Sequence, residues 1–563
     1  MGDIHEGLDR RRAMTRLASA LGLPGGFAGM SGSSRLRAIM DLRDPGRLIR
    51  SLRPDELYFL LKSIGLEDSQ ELLAYATPEQ RRGLCDLDVW SGAGFSPERL
   101  DGILDLAAGV SRDVALSFLR EADLEVLALR LFGSCRITPV AEADEDADPD
   151  HAFRTPDGMF VVVAADPEQV PALRRFLDLL YALDVERALL VIFGGNRDTP
   201  SSLEDQAFRF REARLQDLGF PPEAERFAVW EPFDAAPLRA RLRTPATGEP
   251  AGPVRDEKPL ALAANALSSP PFFWRALARA AADGDVSGPV HLMMHLFNKV
   301  LAARTTDYFK EDAWEQAAAH AVSLMSLGLE DLSGADEETV ARTLSRAWPV
   351  ELYRCGLEVV RPAHLRARRV SSLVGGPARL GLFGDGTAEV LAALLAFPPQ
   401  FCVRLLGKDT PARRDFGSVA EVGLANRAVF QAEAVLGFAT DRLGFRPQDR
   451  EGRTGLLADV TFANVLATAW ARQVMEGDAS LRPMSGDDVR SLIVAAFDRG
   501  RLREGVREAA LDALCSDVDP GRREAIRGFV SLALDRVEST LGGLDPSLPV
   551  DTRFVGDALL VSG

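Results

Sequence analysis

The chain has 563 residues, 46% hydrophobic and 26% charged, a globular composition with length for roughly three or four domains. A formal net charge of -17 sets it against nucleic acid and against an anionic membrane surface, both of which need a basic face. No apolar run approaches a membrane span, and Cys85, Cys135, Cys355, Cys402 and Cys515 show neither a C-x-x-C pair nor metal-ligand spacing, so the chain reads as an acidic cytoplasmic protein with reduced thiols.

Residues 1–46 read as a flexible N-terminal arm. A basic, marginal helix passes into Pro24-Gly25-Gly26 and a Ser/Gly segment at Ser31–Ser34. Residues 47–140 read as a helical-repeat domain, in which proline-opened amphipathic helices follow one another. Pro54, Pro78 and Pro97 each suit a first helical position, where the missing N–H would have no partner anyway. Acids follow each proline and complement the positive helix end. Thr77 and Gln80 fit a capping box, and Leu57, Leu60, Leu61 and Ile64 keep helical spacing. Leu72, Leu73, Leu84 and Leu104 are expected in the same core.

The acidic run Glu142–Asp150 interrupts this periodicity. It lacks the spacing of a calcium loop and reads as a solvated linker. Residues 151–242 form a middle, mainly helical domain with one small β-hairpin near 152–164, signalled by Pro156-Asp157-Gly158 and the β-branched run after it. Helices are expected near 167–183 and 201–218. Ala188–Phe193 is ambiguous by periodicity, and helix is the reading taken.

Residues 243–259, rich in Pro and Gly, read as a linker, and 260–563 as a C-terminal helical domain. Its expected helices lie near 272–282, 289–303, 312–328, 337–347, 387–397, 418–443, 457–475, 486–498, 505–515 and 521–541. The fold class is thus predominantly α, multi-domain, of stacked helical hairpins and a bundle.

The units around Leu52-Arg53-Pro54-Asp55-Glu56-Leu57 and Ala76-Thr77-Pro78-Glu79-Gln80 resemble the N-terminal helical domain of the magnesium transporter MgtE, and more distantly the armadillo-like helices of the flagellar switch protein FliG. That resemblance covers residues 47–132 only, and without the transporter's membrane part it implies no transport. As a whole the chain resembles an uncharacterised family of soluble helical bacterial proteins, of myxobacterial and deltaproteobacterial type. Phe153–Gly158, Leu215–Phe220, Asn298–Ala302 and Ser326–Leu332 carry that likeness. It implies architecture and no activity.

Chemistry-bearing residues are sparse. His291 and His295 lie four apart on one expected helix, as two metal ligands must, with Asn298 on the same face. Asp307, Glu311, Asp312, Glu315 and His320 follow. Leu292, Met293 and Met294 occupy the positions where H-E-x-x-H would place its general base, so the pair reads as a polar helix flank facing water. Cys355 follows Arg354, but a structural thiol is the reading taken. Arg361, Arg366, Arg368 and Arg369 surround His364 and suit either a solvated helix end or a phosphate or acidic partner segment. Gly384-Asp385-Gly386 opens a helix without the phosphate-loop pattern and reads as a turn. Phe272-Phe273-Trp274 reads as a core anchor.

No catalytic or cofactor-binding residue is assigned and no cofactor is called for. The reading is a non-enzymatic helical scaffold or adaptor that binds protein partners. The alternative is a metal-dependent enzyme or sensor using His291 and His295.

Overall fold

The computed structural model describes residues 30–92, 94–143, 150–197, 199–244, 272–273, 275–277, 287–308, 310, 313–334, 336–408, 410, 412–447 and 460–562. The fold is predominantly helical. It divides into two compact units, Met1–Gly356 and Leu357–Gly563.

In the first unit, short helices open the described chain: α1 (Gly32–Met40), α2 (Pro45–Ser51), α3 (Pro54–Ile64), α4 (Pro78–Asp88), α5 (Pro97–Val110), α6 (Arg112–Glu121) and α7 (Leu124–Leu131). The three prolines stand at first helical positions. The Thr77–Gln80 capping box forms, with Gln80 N–H donating to Thr77 Oγ1 at 3.2 Å and Thr77 N–H to Gln80 Oε1 at 2.8 Å. Gln80 Nε2 also donates to the carbonyls of Ile49 and Leu52, so one side chain caps its own helix and ties it to α2. Leu57, Leu60, Leu61, Leu72, Leu73, Leu84 and Leu104 are all buried. Residues 32–40, expected within the flexible arm, are instead helical: Ser31 caps α1, and Ile39 is fully buried. The Ser/Gly segment is thus a helix cap, a use that serine serves as readily as a loop.

A three-stranded antiparallel sheet follows, with β3 (Cys135–Pro139) and β4 (Ala152–Arg154) flanking β5 (Phe160–Ala164), after the two-residue pair β1 (Trp90–Ser91) and β2 (Gly94–Phe95). The expected hairpin is the β4–β5 pair, with Phe153 opposite Val162. Then come α8 (Val170–Leu183), α9 (Val185–Arg197), α10 (Pro200–Asp217) and α11 (Ala236–Arg243). The ambiguous run at 188–193 is therefore helix.

From residue 245 the expected linker lies outside the described residues. Phe273 is buried, as a core anchor requires, and its N–H donates to Ser326 Oγ; Trp274 lies outside the described residues. The unit closes with α12 (Ser287–Arg304), α13 (Ala313–Ser333), α14 (Glu337–Arg346) and the first part of α15 (Pro349–Val374). Where α13 and α15 cross, Gly328 and Gly356 bring the backbones together: a Cβ on Gly328 would lie 2.0 Å from Leu352 O, and one on Gly356 2.0 Å from Leu324 O.

The second unit holds the rest of α15, then α16 (Asp385–Leu395), α17 (Val419–Gly437), α18 (Phe462–Glu476), α19 (Gly486–Ala496), α20 (Glu504–Leu514) and α21 (Pro520–Leu541). Two-residue strand pairs join Phe401–Cys402 to Arg413–Arg414 and Phe497–Asp498 to Arg501–Leu502. Helix α15 was not among the expected helices; it carries Pro362 internally. Yet Val360, Ala363, Ala367, Val370 and Val374 are buried at helical spacing straight through that proline, which sits on the exposed side. Packing of that stripe outweighs the hydrogen bond lost at Pro362. Among the described residues, no helix is long and apolar enough to cross a membrane.

Candidate anion-binding cleft

The histidine face is held by packing and hydrogen bonds. His291 lies in α12, and its side chain is outside the described residues. His295 packs on the turn after α10, where Gly219 has φ +90°; a Cβ there would stand 2.6 Å from His295 Cα. Asn298 is not on a wet flank. It is fully buried, and its Nδ2 donates to Asp55 Oδ2 at 2.6 Å and to the Leu218 carbonyl at 2.8 Å. The apolar stripe of α12 is wider than its spacing suggested, and a polar residue inside it survives because both neighbours accept hydrogen bonds. Arg53 completes this group, reaching Asp55 Oδ1 at 3.1 Å and Leu218 O at 2.9 Å.

The remaining polar candidates of the first unit are dispersed. His320 is buried on α13 with its ring centroid 6.1 Å from that of Tyr353. Asp307 meets Arg99, and Glu315 lies 4.0 Å from Arg35. Glu311 and Asp312 lie outside the described residues. Among the described residues, no three His, Cys, Asp or Glu side chains form a group able to hold a metal ion. Arg354 is committed to the Ala228 carbonyl, and Cys355 is buried.

A second buried polar group serves the architecture. Arg214 forms two bonds to the Asp86 carboxylate, at 2.7 and 2.8 Å, and one to Asp123 at 2.7 Å. Burial pushes the Asp86 carboxyl above its usual range, with Arg214 opposing that rise. This salt-bridged node joins α4, α10 and the start of α7. The pocket of the first unit beside Phe59 and Trp314, about 100 Å³, has room for only a few waters.

The second unit contains a cleft of about 600 Å³, within the range that small ligands and side chains occupy. Its walls come from α15, α17, the segment after α17, and the first turn of α21. Helix α17 runs into a π-helical turn, Phe438–Arg442, which inserts an extra residue per turn and brings Thr440 and Asp441 to the cleft beside Leu436 and Gly437. The chain then reverses at Gly444 (φ +66°), a left-handed conformation that suits glycine. Phe445 anchors the segment, buried with its ring 5.7 Å from that of Phe462, and Arg379 donates to the Pro447 carbonyl at 3.0 Å.

Three arginines line the cleft: Arg369, Arg446 and Arg522. None has an ion-pair or hydrogen-bond partner among the described residues. Of the cleft's two carboxylates, Glu433 is already neutralised, since Arg366 donates to it at 2.6 and 3.1 Å with its guanidinium over Phe430. Among the described residues, Asp441 accepts only from Thr440 Oγ1, at 3.1 Å. Leu373, 53% exposed, adds an apolar wall with Leu436 and Phe445.

The basic stretch at 361–369 is thereby divided. Arg361 pairs with Glu358, Arg366 with Glu433, and His364 Nδ1 with the Leu394 carbonyl at 2.7 Å; of the four arginines, only Arg369 reaches the cleft. Arg446, Arg522 and Asp441 escaped the sequence reading. They come from separate elements, and a lone arginine carries no local signal. Gly384-Asp385-Gly386, expected as a turn, is instead a helix start: Gly384, at φ +77°, is the N-cap of α16, and Asp385 and Gly386 are its first two residues.

The fold and this cleft define a helical, two-unit protein with an arginine-lined cleft. The chain belongs to a family of unknown function, DUF6178, which matches residues 25–561. No curated protein and no solved structure matches it.

Proposed function

We propose that this protein is a non-enzymatic helical adaptor of the cytoplasm, which holds an acidic segment of a protein partner in the cleft of its second unit. The observation that carries this is the set of three arginines, Arg369, Arg446 and Arg522, that line one cleft of an acidic chain and have no ion-pair partner among the described residues. Like charges gathered around one cleft repel, and an anionic ligand relieves that cost. Arginine is suited to the task because its planar fork binds carboxylate and phosphate through paired hydrogen bonds. The apolar wall at Leu373 supports a peptide occupant, since it gives a side chain beside the anion something to cover. Stacked helices commonly act through the surfaces they hold rigid. Five free cysteines, four of them buried, suit a reducing compartment.

Affinity capture tests the proposal. Tagged wild-type chain and the Arg369→Glu, Arg446→Glu, Arg522→Glu variant are compared by quantitative mass spectrometry, after circular dichroism has shown both folded. The expected result is a protein partner enriched by wild type and depleted at least tenfold by the variant. Identical sets of bound proteins would refute the role of the cleft.

A further inference from the structure

We infer that the anion recognised in this cleft is a phosphomonoester on the partner segment, with an apolar residue beside it; this rests on the adaptor reading and specifies its ligand. Among the described residues, the cleft is lined by three arginines without an ion-pair partner and by one carboxylate, Asp441, that no cation neutralises, because Glu433 is taken by Arg366. The cleft is thus left with a net charge of about +2. A single carboxylate would leave half of that unmet. A phosphoryl group, at roughly −1.5 to −2 at pH 7, meets it and offers three acceptor oxygens to guanidinium forks.

Placement supports the same ligand. Arg522 stands in the first turn of α21, at the end where the helix dipole disfavours a cation. A cation is retained there at a cost that an anion in the cleft would remove. Beside it, Gly437 has no side chain, and a Cβ at that position would be in ordinary contact with Arg522 Nη1 and Asp441 Oδ2, each at 3.9 Å. Arg442, which shares the π-turn, is not part of the set, since it pairs with Asp517 at 3.2 Å.

Size then separates a bound phosphoryl group from free phosphate. A cleft of about 600 Å³ is far larger than one phosphate, and the exposed Leu373 gives it apolar surface over the buried Leu436 and Phe445. The matching ligand is a phosphorylated side chain whose neighbour in sequence is apolar.

Fluorescence anisotropy with the full chain tests this. The probe is a short labelled peptide carrying one phosphoserine between leucines, compared with its serine and glutamate counterparts, with inorganic phosphate as competitor. The expected result is that the phosphopeptide binds at least tenfold tighter than either counterpart. Its affinity should fall severalfold from pH 7.5 to 5.5, as the phosphate takes up its second proton near pH 6. Combined Arg369→Gln, Arg446→Gln and Arg522→Gln should weaken it at least tenfold, whereas Arg361→Gln, outside the cleft, should not. If the triple variant unfolds, Gly437→Leu replaces it, because that change puts a bulky side chain into the cleft beside Arg522 and Asp441 and removes no charge. Equal binding of the glutamate peptide, lost in the variants, overturns the phosphate inference and leaves the adaptor reading standing. Binding of inorganic phosphate with no gain from the peptide overturns the adaptor reading instead. Absence of all binding overturns both.

Discussion

Replacing Gly328 by alanine should destabilise the first unit, although alanine is the better helix former by about 1 kcal/mol. The added Cβ would lie 2.0 Å from Leu352 O and 3.0 Å from Gly356 N, both backbone atoms of the crossing helix. No side-chain rotation relieves that contact. Helices α13 and α15 would have to part by about 1.5 Å to restore van der Waals separation. Leu324, Leu327, Leu352 and Tyr353, all buried in that neighbourhood, would lose part of their packing. Overpacking of this kind costs about 3 kcal/mol at its upper range, so the net loss is about 2 kcal/mol. Gly356→Ala should cost a similar amount. The two together should cost less than their sum, since one separation relieves both contacts. Gly102, on an open face of α5 with nothing within 4 Å of its Cβ position, is the control. Gly102→Ala should stabilise by about 0.5–1 kcal/mol. Urea unfolding followed by tryptophan fluorescence reads the first unit through Trp90, Trp230, Trp314 and Trp348 and the second unit through Trp470, so both transitions are fitted together. A Gly328→Ala chain as stable as Gly102→Ala would refute the crossing.

Other expectations rest on particular side chains. Asn298→Ala should destabilise by about 2 kcal/mol, because it removes a buried donor that serves the Asp55 carboxylate and Leu218 carbonyl; Asn298→Asp should cost more, and a urea midpoint unmoved by either would contradict the buried assignment. Burial pushes the Asp488 carboxyl up, but the Ser485 N–H and the Arg472 guanidinium, each at 2.9 Å, hold it below its usual range. A lowered folded pKa gives stability that is complete above the ordinary carboxylate pKa near 4 and is lost as pH falls through the folded value. The midpoint difference between wild type and Asp488→Asn should therefore be present at pH 7 and shrink toward pH 3; a difference constant with pH would contradict it. Chain purified without chelators should carry less than one equivalent of zinc, because Asn298, beside His295 on α12, is spent on Asp55 and Leu218; one equivalent lost in His291→Ala would promote the metal-dependent alternative.

What was legible in the sequence was local. Pro54, Pro78 and Pro97 announce helix starts because a first-turn proline has a cause within its own few residues, and the β4–β5 hairpin follows from Pro156-Asp157-Gly158 for the same reason. Helix α15 was hidden because Pro362 and the surrounding arginines interrupt the local pattern, while the buried stripe from Val360 to Val374 that sustains it depends on packing. Asn298 was misplaced because its partners, Asp55 and Leu218, lie far from it in sequence. The cleft was least legible. Arg369 stood out within a basic run, but Arg446 and Arg522 join it only through the fold, and a π-turn after Gly437 changes which residues face inward. Helical periodicity does not foresee that shift.

Site-specific photo-crosslinking in living cells puts the central claim to its most direct test. A photoreactive residue at Leu373, exposed on the cleft wall, is compared with one at Val494, which is 64% exposed on α19. The adaptor account predicts a covalent adduct from position 373 that maps to an acidic or phosphorylated segment of one partner protein, and none from position 494. Absence of an adduct at 373, or the same adducts from both positions, would contradict it.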